Sequence, residues 1–257
     1  LLLPFWAGIR RRAAILSNFP SRSLDRCARF LSHHERHRPG RLLLETELAL
    51  LRSLGYGQTT TQKRLHPAPG AADAVAAFFG ERAAPRLGLG ISSGNKLKAL
   101  SLDQLAELCH RLLAALPHDL VLIGSSEDRP LAAELRRRCG EERLLDACGA
   151  FALDTLPALM PALDAYFGVD SGITYLADAC DRPLVALMGP ADPEEQRPMG
   201  PRVMVLATAL PCAPCSHVFK APYPCAIGSR ACVAEADIAA VATRLIGLAE
   251  GSDQTEV

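Results

Sequence analysis

From residue 85 onward the chain repeats one pattern: a short apolar run, a polar or glycine-bearing loop, then a stretch with apolar residues at helical spacing. The runs fall at 86–91, 119–123, 143–147, 165–169 and 183–188. Between them, 102–116, 130–139, 153–163 and 173–180 read as helices, and 235–249 as a closing amphipathic helix. In 102–116, positions 102, 105, 108, 112, 113 and 116 are apolar and share one helical face. Strands separated by helices of this length predict an α/β fold, a parallel sheet with helices on both faces. Such sheets bind ligands beyond the carboxyl ends of their strands. That rule selects four loops: 92–98, 124–128, 170–174 and 189–192.

The residues before 84 are less regular. A helix end, a turn and a strand fit 6–16, and 17–40 is polar and rich in arginine and histidine. Leucines at helical spacing fill 41–55 up to a stopping Gly55, and 71–79 reads as another short helix. His33, His34 and His37 lie close together beside Arg36 and Arg38, and are read as a solvated polar segment rather than a metal site. The expected division is a first domain over 1–83 and a second over 84–257.

Composition excludes several classes. Lysine plus arginine number 28 and aspartate plus glutamate 28, so bulk charge does not draw this chain to nucleic acid, and 5% aromatics leave little for base stacking. No apolar run reaches the roughly 18–20 residues of a membrane span, and the opening LLLPFW does not read as a secretion signal, so the expectation is a cytoplasmic protein. Five of the nine cysteines (Cys27, Cys109, Cys139, Cys148, Cys180) are scattered singly and read as reduced core residues. Cys212, Cys215, Cys225 and Cys232 cluster. They allow a structural zinc site, disulfides or reduced thiols in a structured loop, and the loose spacing leaves all three open.

The loops carry the chemistry. In 170–174, Asp170 ends an apolar run, Gly172 permits close backbone approach, and the unbonded amides of a first helical turn attract an anion such as a diphosphate. Asp170 either binds a sugar hydroxyl there or simply caps the helix. Ser92, Ser93, Lys96 and Lys98 offer hydroxyls and ammonium groups suited to phosphate oxygens, or else a solvated loop. Glu127 or Asp128 either meets ribose hydroxyls or favours the next helix N-terminus. Gly88, Gly90 and Gly94 form GxGxxxG, one residue longer than the dinucleotide fingerprint, which argues against NAD. The sequence contains no GxxxxGK[ST], no D-x-D pair, no G-x-S-x-G and no H-E-x-x-H.

In order and spacing these loops resemble glycosyltransferase family 9, the ADP-heptose:lipopolysaccharide heptosyltransferases. The segment 168–193, GVDSGITYLADACDRPLVALMGPADP, is similar to that family's "DSG..HLA…PvvalfGpt.p" element. Lys98 followed by LDQLAEL, and Gly124 with Glu127, resemble two further family elements, and the four clustered cysteines resemble those of the second-heptose branch. The resemblance implies a GT-B fold of two Rossmann-like domains, the second binding the nucleotide-sugar donor. It implies Ser92, Ser93 and Lys98 on the diphosphate and Glu127 on the adenosine ribose. Phe151 falls near the adenine, and Asp170 with Ser171 and Gly172 on heptose and phosphate. Lys98 and Asp170 are the implied catalytic pair, in an inverting, metal-independent transfer of heptose from ADP-heptose to the lipopolysaccharide inner core.

Two departures qualify the match. Tyr175 stands where the family has histidine, and a phenol carries no positive charge at neutral pH. The family's first strand and acidic base have no counterpart here, so an N-terminally truncated chain is expected, with ADP binding retained and little or no transfer. An amphiphilic acceptor implies peripheral contact with the inner membrane, where Arg10, Arg11 and Arg12 could assist. A transferase using another nucleotide sugar, and a non-catalytic nucleotide-sugar-binding module, are the alternatives.

Overall fold

A run such as DLVLI at 119–123, with no polar alternation after its first residue, fits a strand covered on both faces. That is the environment found in the structure, a computed structural model that describes residues 2–57 and 60–251. The described residues form two compact units. The first takes the chain as far as Gln62 together with Ala191–Gln196 and Pro214–Pro222; the second takes Lys63–Pro190, Arg197–Ala213 and the chain from Tyr223 on.

In the first unit the elements are α1 (Leu2–Trp6), β1 (Ala13–Leu16), α2 (Arg22–Ala28), β2 (His33–Arg36) and α3 (Leu43–Ser53). β1 and β2 pair in parallel, Ala13 opposite His33 through Leu16 opposite Arg36, and α3 packs on both. The polar stretch 17–40 is therefore a crossover helix and a strand. The Ser21 side chain caps α2, and the Arg36 guanidinium reaches Asp25 at 2.5 Å and the Ser17 carbonyl at 2.7 Å. The solvated reading of the histidines fails at His37, which is 1% exposed, with Nδ1 3.1 Å from Thr46 Oγ1 on α3. One hydrogen bond to a buried hydroxyl replaces water at that nitrogen.

The second unit contains α4 (Ala71–Phe79), β3 (Arg86–Gly90), α5 (Leu102–Ala115), β4 (Asp119–Ile123), α6 (Arg129–Cys139), β5 (Leu144–Asp146) and α7 (Leu156–Leu159). It continues with β6 (Ala165–Val169), α8 (Gly172–Ala179), β7 (Leu184–Leu187), β8 (Val203–Leu206), α9 (Ala231–Ala234) and α10 (Ile238–Glu250). Its six strands form one sheet in the order β5-β4-β3-β6-β7-β8, every neighbouring pair parallel. The helix expected over 153–163 is cut short to α7 and a single 3₁₀ turn, Met160–Ala162, in a stretch that carries Pro157 and Pro161. β8 and α9 lie in a stretch where sequence periodicity gave no signal.

Local signals hold the frame. Ser101 and Gln104 form a reciprocal capping box at the start of α5, and the Asp237 side chain accepts from the Ala240 amide at the start of α10. α5 and α10 pack together, and α10 also covers β6 and β7.

Gly88 and Gly90 acquire a structural reason. Gly88 lies opposite Tyr166 of β6, whose fully buried ring occupies the space a side chain on β3 would need. A Cβ at Gly88 would come within 2.6 Å of Leu163 Cδ1, and one at Gly90 would strike the Tyr166 hydroxyl. These glycines make room for an aromatic ring, not for a pyrophosphate. Gly90→Ala is expected to cost about 1–3 kcal/mol by overpacking. Tyr166→Phe in the same chain is expected to recover at least half of that, because the hydroxyl is the atom the new methyl meets. Urea unfolding of the two single variants and the double variant measures both.

Candidate functional site

The order of the sheet fixes where its loops can converge. From β3 the chain moves outward through β4 to β5, then returns to the other side of β3 and moves outward again through β6, β7 and β8. The direction reverses between β3 and β6, and the loops leaving the carboxyl ends of those two strands flank the crevice such a reversal opens. They are the loop of Ser92, Ser93, Lys96 and Lys98, and the loop of Asp170, Ser171 and Gly172.

At this point Lys98 Nζ and Asp170 Oδ2 form a direct ion pair. The Asp170 side chain is 3% exposed and that of Lys98 14%, so both charges are largely out of water and depend on partners. Tyr175, one turn into α8, donates its hydroxyl to the other carboxylate oxygen of Asp170 at 3.0 Å. Burial, and then the adjacent Asp170 carboxylate, push the Tyr175 phenol well above its ordinary pKa. It therefore stays a neutral donor across the working pH range. The loop's backbone is braced by Thr174, whose buried hydroxyl donates to the Val169 carbonyl at 2.6 Å and lies 3.2 Å from Ser171 Oγ. Gly172 opens α8 and is exposed, with open space where a Cβ would stand. The Thr174 and Tyr175 amides donate to the Ser171 carbonyl at 3.0 and 3.3 Å, which leaves the amides of Gly172 and Ile173 as the helix-start donors suited to an anion.

The β3 loop is organised by Asp128. Lys96 Nζ lies 2.5 Å from Ser92 Oγ and 3.2 Å from Asp128 Oδ1. The other Asp128 oxygen accepts from the Ser125 amide and hydroxyl at 2.8 and 2.7 Å. Burial works to raise the Asp128 pKa, but hydrogen bonds from Ser125, Ser92 and Lys96 outweigh it and hold it below the ordinary range. Asp128 is thus a buried anchor that caps the turn after β4, while Glu127 beside it is exposed. Ser93 is buried and Ser92 half-buried. Phe151, in the loop after β5, is half-buried with its ring edge against Phe78, the centroids 5.2 Å apart.

The clustered cysteines differ in their surroundings. Cys232 is buried in the hydrophobic core around α9, whereas Cys212 and Cys215 are exposed and Cys225 half-buried. Among the described residues, Asp192, Glu195 and His217 are the one converging group of three metal-capable side chains. Backbone hydrogen bonds at Arg230 and Ile227 pull the Cys225 thiol below its ordinary pKa.

With this geometry established, comparison with known proteins is informative. Over 104 residues the chain is 32% identical to lipopolysaccharide heptosyltransferase 2 of Salmonella typhimurium, a stretch covering 39% of this chain and 30% of that protein. Over 91 residues it is 32% identical to lipooligosaccharide heptosyltransferase 2 of Haemophilus influenzae, covering 34% of this chain and 26% of that one. The matched stretches thus span less than a third of these relatives.

Among solved structures, the E. coli ADP-heptose lipopolysaccharide heptosyltransferase II superposes with a TM-score of 0.72 at 20% identity, covering 98% of this chain and 74% of that one. A family 9 glycosyltransferase from Veillonella parvula gives 0.69 at 16% identity, covering 96% and 76%. The α/β fold with its parallel sheet is therefore that of GT-B heptosyltransferase structures. The profile described as "Glycosyltransferase family 9 (heptosyltransferase)" matches residues 9–223, and the chain belongs to that family.

Proposed function

We propose that this chain belongs to an inverting, metal-independent glycosyltransferase that moves heptose from ADP-heptose to the lipopolysaccharide inner core, with residues 84–257 binding the donor. The single observation that carries the reading is the Lys98–Asp170 pair at the strand-order reversal, beside the open N-terminus of α8. An ammonium group and unbonded amides facing one crevice suit a diphosphate, and a carboxylate among them suits a sugar hydroxyl.

The roles follow from charge. As the glycosidic bond breaks, negative charge develops on the departing ADP, and Lys98 is placed to stabilise it without a metal ion. Asp170, fixed by Lys98 and by the Tyr175 hydroxyl, orients the sugar so that its anomeric carbon faces the acceptor. Ser92, Ser93 and the amides of Ser171 and Gly172 hold the phosphates, Glu127 is exposed and free to reach the ribose, and Phe151 offers a ring edge near the base. The general base comes from outside the matched loops. An amphiphilic acceptor places the protein at the cytoplasmic face of the inner membrane as a peripheral partner. Among the described residues, no helix is long and apolar enough to cross a membrane. Tyr175 in place of histidine favours a second reading, a related transferase with a different nucleotide-sugar donor.

Thermal unfolding in the presence of ADP, ADP-heptose, UDP-sugars and GDP-sugars separates the two readings, because a true donor raises Tm by mass action. The expected outcome is a shift with ADP and ADP-heptose alone. A shift confined to UDP- or GDP-sugars selects the second reading, and no shift with any nucleotide overturns both. Lys98→Met keeps the aliphatic stem and removes the charge; it is expected to weaken ADP binding about tenfold or more, read by titration. Tyr175→His introduces a group that titrates near pH 6.5 where the present phenol does not. Its ADP affinity is expected to acquire a pH dependence between about pH 5.5 and 7.5 that the unaltered protein lacks at this position, read from the ADP Kd against pH.

A further inference from the structure

The first unit buries two carboxylates against two imidazoles, a cluster that nucleotide-sugar chemistry does not use. Asp192 and Glu195 are 7% and 0% exposed. His217 Nδ1 stands 3.4 Å from Asp192 Oδ2 and 3.3 Å from Glu195 Oε1, yet forms a hydrogen bond with neither. Glu195 Oε1 is itself buried without a hydrogen-bond partner. On the far side of the same carboxylate, Glu195 Oε2 accepts from the Val218 amide at 3.2 Å and lies 3.7 Å from His37 Nε2. That imidazole nitrogen is a further buried atom without a partner, on a residue 1% exposed. Among the described residues, neither carboxylate has an ion pair to lysine or arginine. The neighbouring Lys220 ammonium instead sits over the Phe19 ring.

Burying this much negative charge without a cation is costly. The separations indicate what is missing. Bonds of about 2.0–2.1 Å to a tetrahedral ion leave adjacent ligand atoms about 3.3–3.4 Å apart, the spacing His217 Nδ1 keeps from each carboxylate oxygen.

The surroundings are built to hold this arrangement. The Asp192 amide donates to the Ser216 carbonyl at 3.0 Å, and Asp192 Oδ1 accepts from the Glu194 amide at 2.9 Å, leaving Oδ2 toward His217. His217 exchanges backbone hydrogen bonds with Lys220 and rests against Phe19, the ring centroids 5.7 Å apart. His37 is set by Thr46 on one nitrogen and by the Phe219 ring at 5.6 Å.

We infer that Asp192, Glu195 and His217 bind a divalent transition-metal ion of the zinc class, with His37 as a positioning residue behind Glu195. One imidazole and two carboxylates are a donor set for zinc rather than for a soft ion, and three protein ligands leave one position for water. The three ligands carry no thiol and are none of the residues assigned to the proposed glycosyl transfer.

The test uses the chain stripped of metal by a chelator, then titrated with Zn²⁺ and separately with Co²⁺. One equivalent of Zn²⁺ is expected to bind and raise Tm. Co²⁺ is expected to give visible ligand-field absorption without a sulfur-to-cobalt charge-transfer band. His217→Ala is expected to weaken Zn²⁺ binding by more than about tenfold, while the paired Cys212→Ser and Cys225→Ser replacements leave it unchanged. Absence of Zn²⁺ binding, binding insensitive to His217→Ala, or a thiolate band on cobalt would each overturn the inference. The cobalt spectrum is read on the unaltered chain, so it decides even where a variant fails to fold.

Discussion

Asp170 is a carboxylate almost wholly removed from water, at the one place in the sheet where strand order reverses. A charge in that position survives only with partners, and the fold supplies Lys98 from the β3 loop and Tyr175 from α8. The requirement works in both directions. It draws two loops separated by 72 residues of sequence to one point, and it leaves an ammonium group beside unbonded helix amides. Everything proposed about the donor follows from that local charge balance. A diphosphate entering the crevice offers Lys98 a second anionic partner, and the Tyr175 hydroxyl continues to satisfy Asp170 while Lys98 is shared.

The substitution of Tyr175 for the family's histidine fits the same reasoning. An imidazole at this position can carry a charge that varies with pH, and against a buried carboxylate that charge would compete with Lys98. A phenol pushed upward by burial and by Asp170 gives one fixed donor and no charge. Lys98 then supplies positive charge beside Asp170 that no neighbouring imidazole at 175 varies with pH.

Much of the second unit was legible in the sequence because parallel strands buried on both faces leave continuous apolar runs. β4 and β6 match the expected bounds residue for residue, and α4 does so as well. Where the pattern depended on partners, the sequence was silent. β2 is HHER, whose place in a sheet rests on backbone pairing with β1 and not on apolar side chains. Lys98 and Asp170 were each visible as candidates, but their contact is a consequence of the β3–β6 reversal and cannot be read from spacing. Glu127 and Asp128 show the finest limit. In a tight turn adjacent side chains point different ways, and the structure buries Asp128 as the anchor while exposing Glu127. Gly88 and Gly90 could be excluded as a nucleotide fingerprint by counting, but their purpose required knowing that the Tyr166 ring lies across them.

The two polar centres sort by sign. In the second unit, amides and an ammonium group face outward to a crevice and the carboxylate present is already paired, which leaves a site complementary to an anion. In the first, two buried carboxylates meet imidazole nitrogens that lack hydrogen-bond partners, which leaves a site complementary to a cation. Histidine next to arginine in a polar stretch gave no hint of this, because the members of the cluster come from segments near 37, 192–195 and 217 that meet only when the chain has folded. The cysteines drew the metal expectation by their proximity in sequence, and of the four Cys232 is the one buried in the core. A metal centre depends on unmet valence held at fixed separation, and here that condition is met by carboxylates and imidazoles. The same criterion explains why Lys98 and Asp170 are not a metal site: each already satisfies the other.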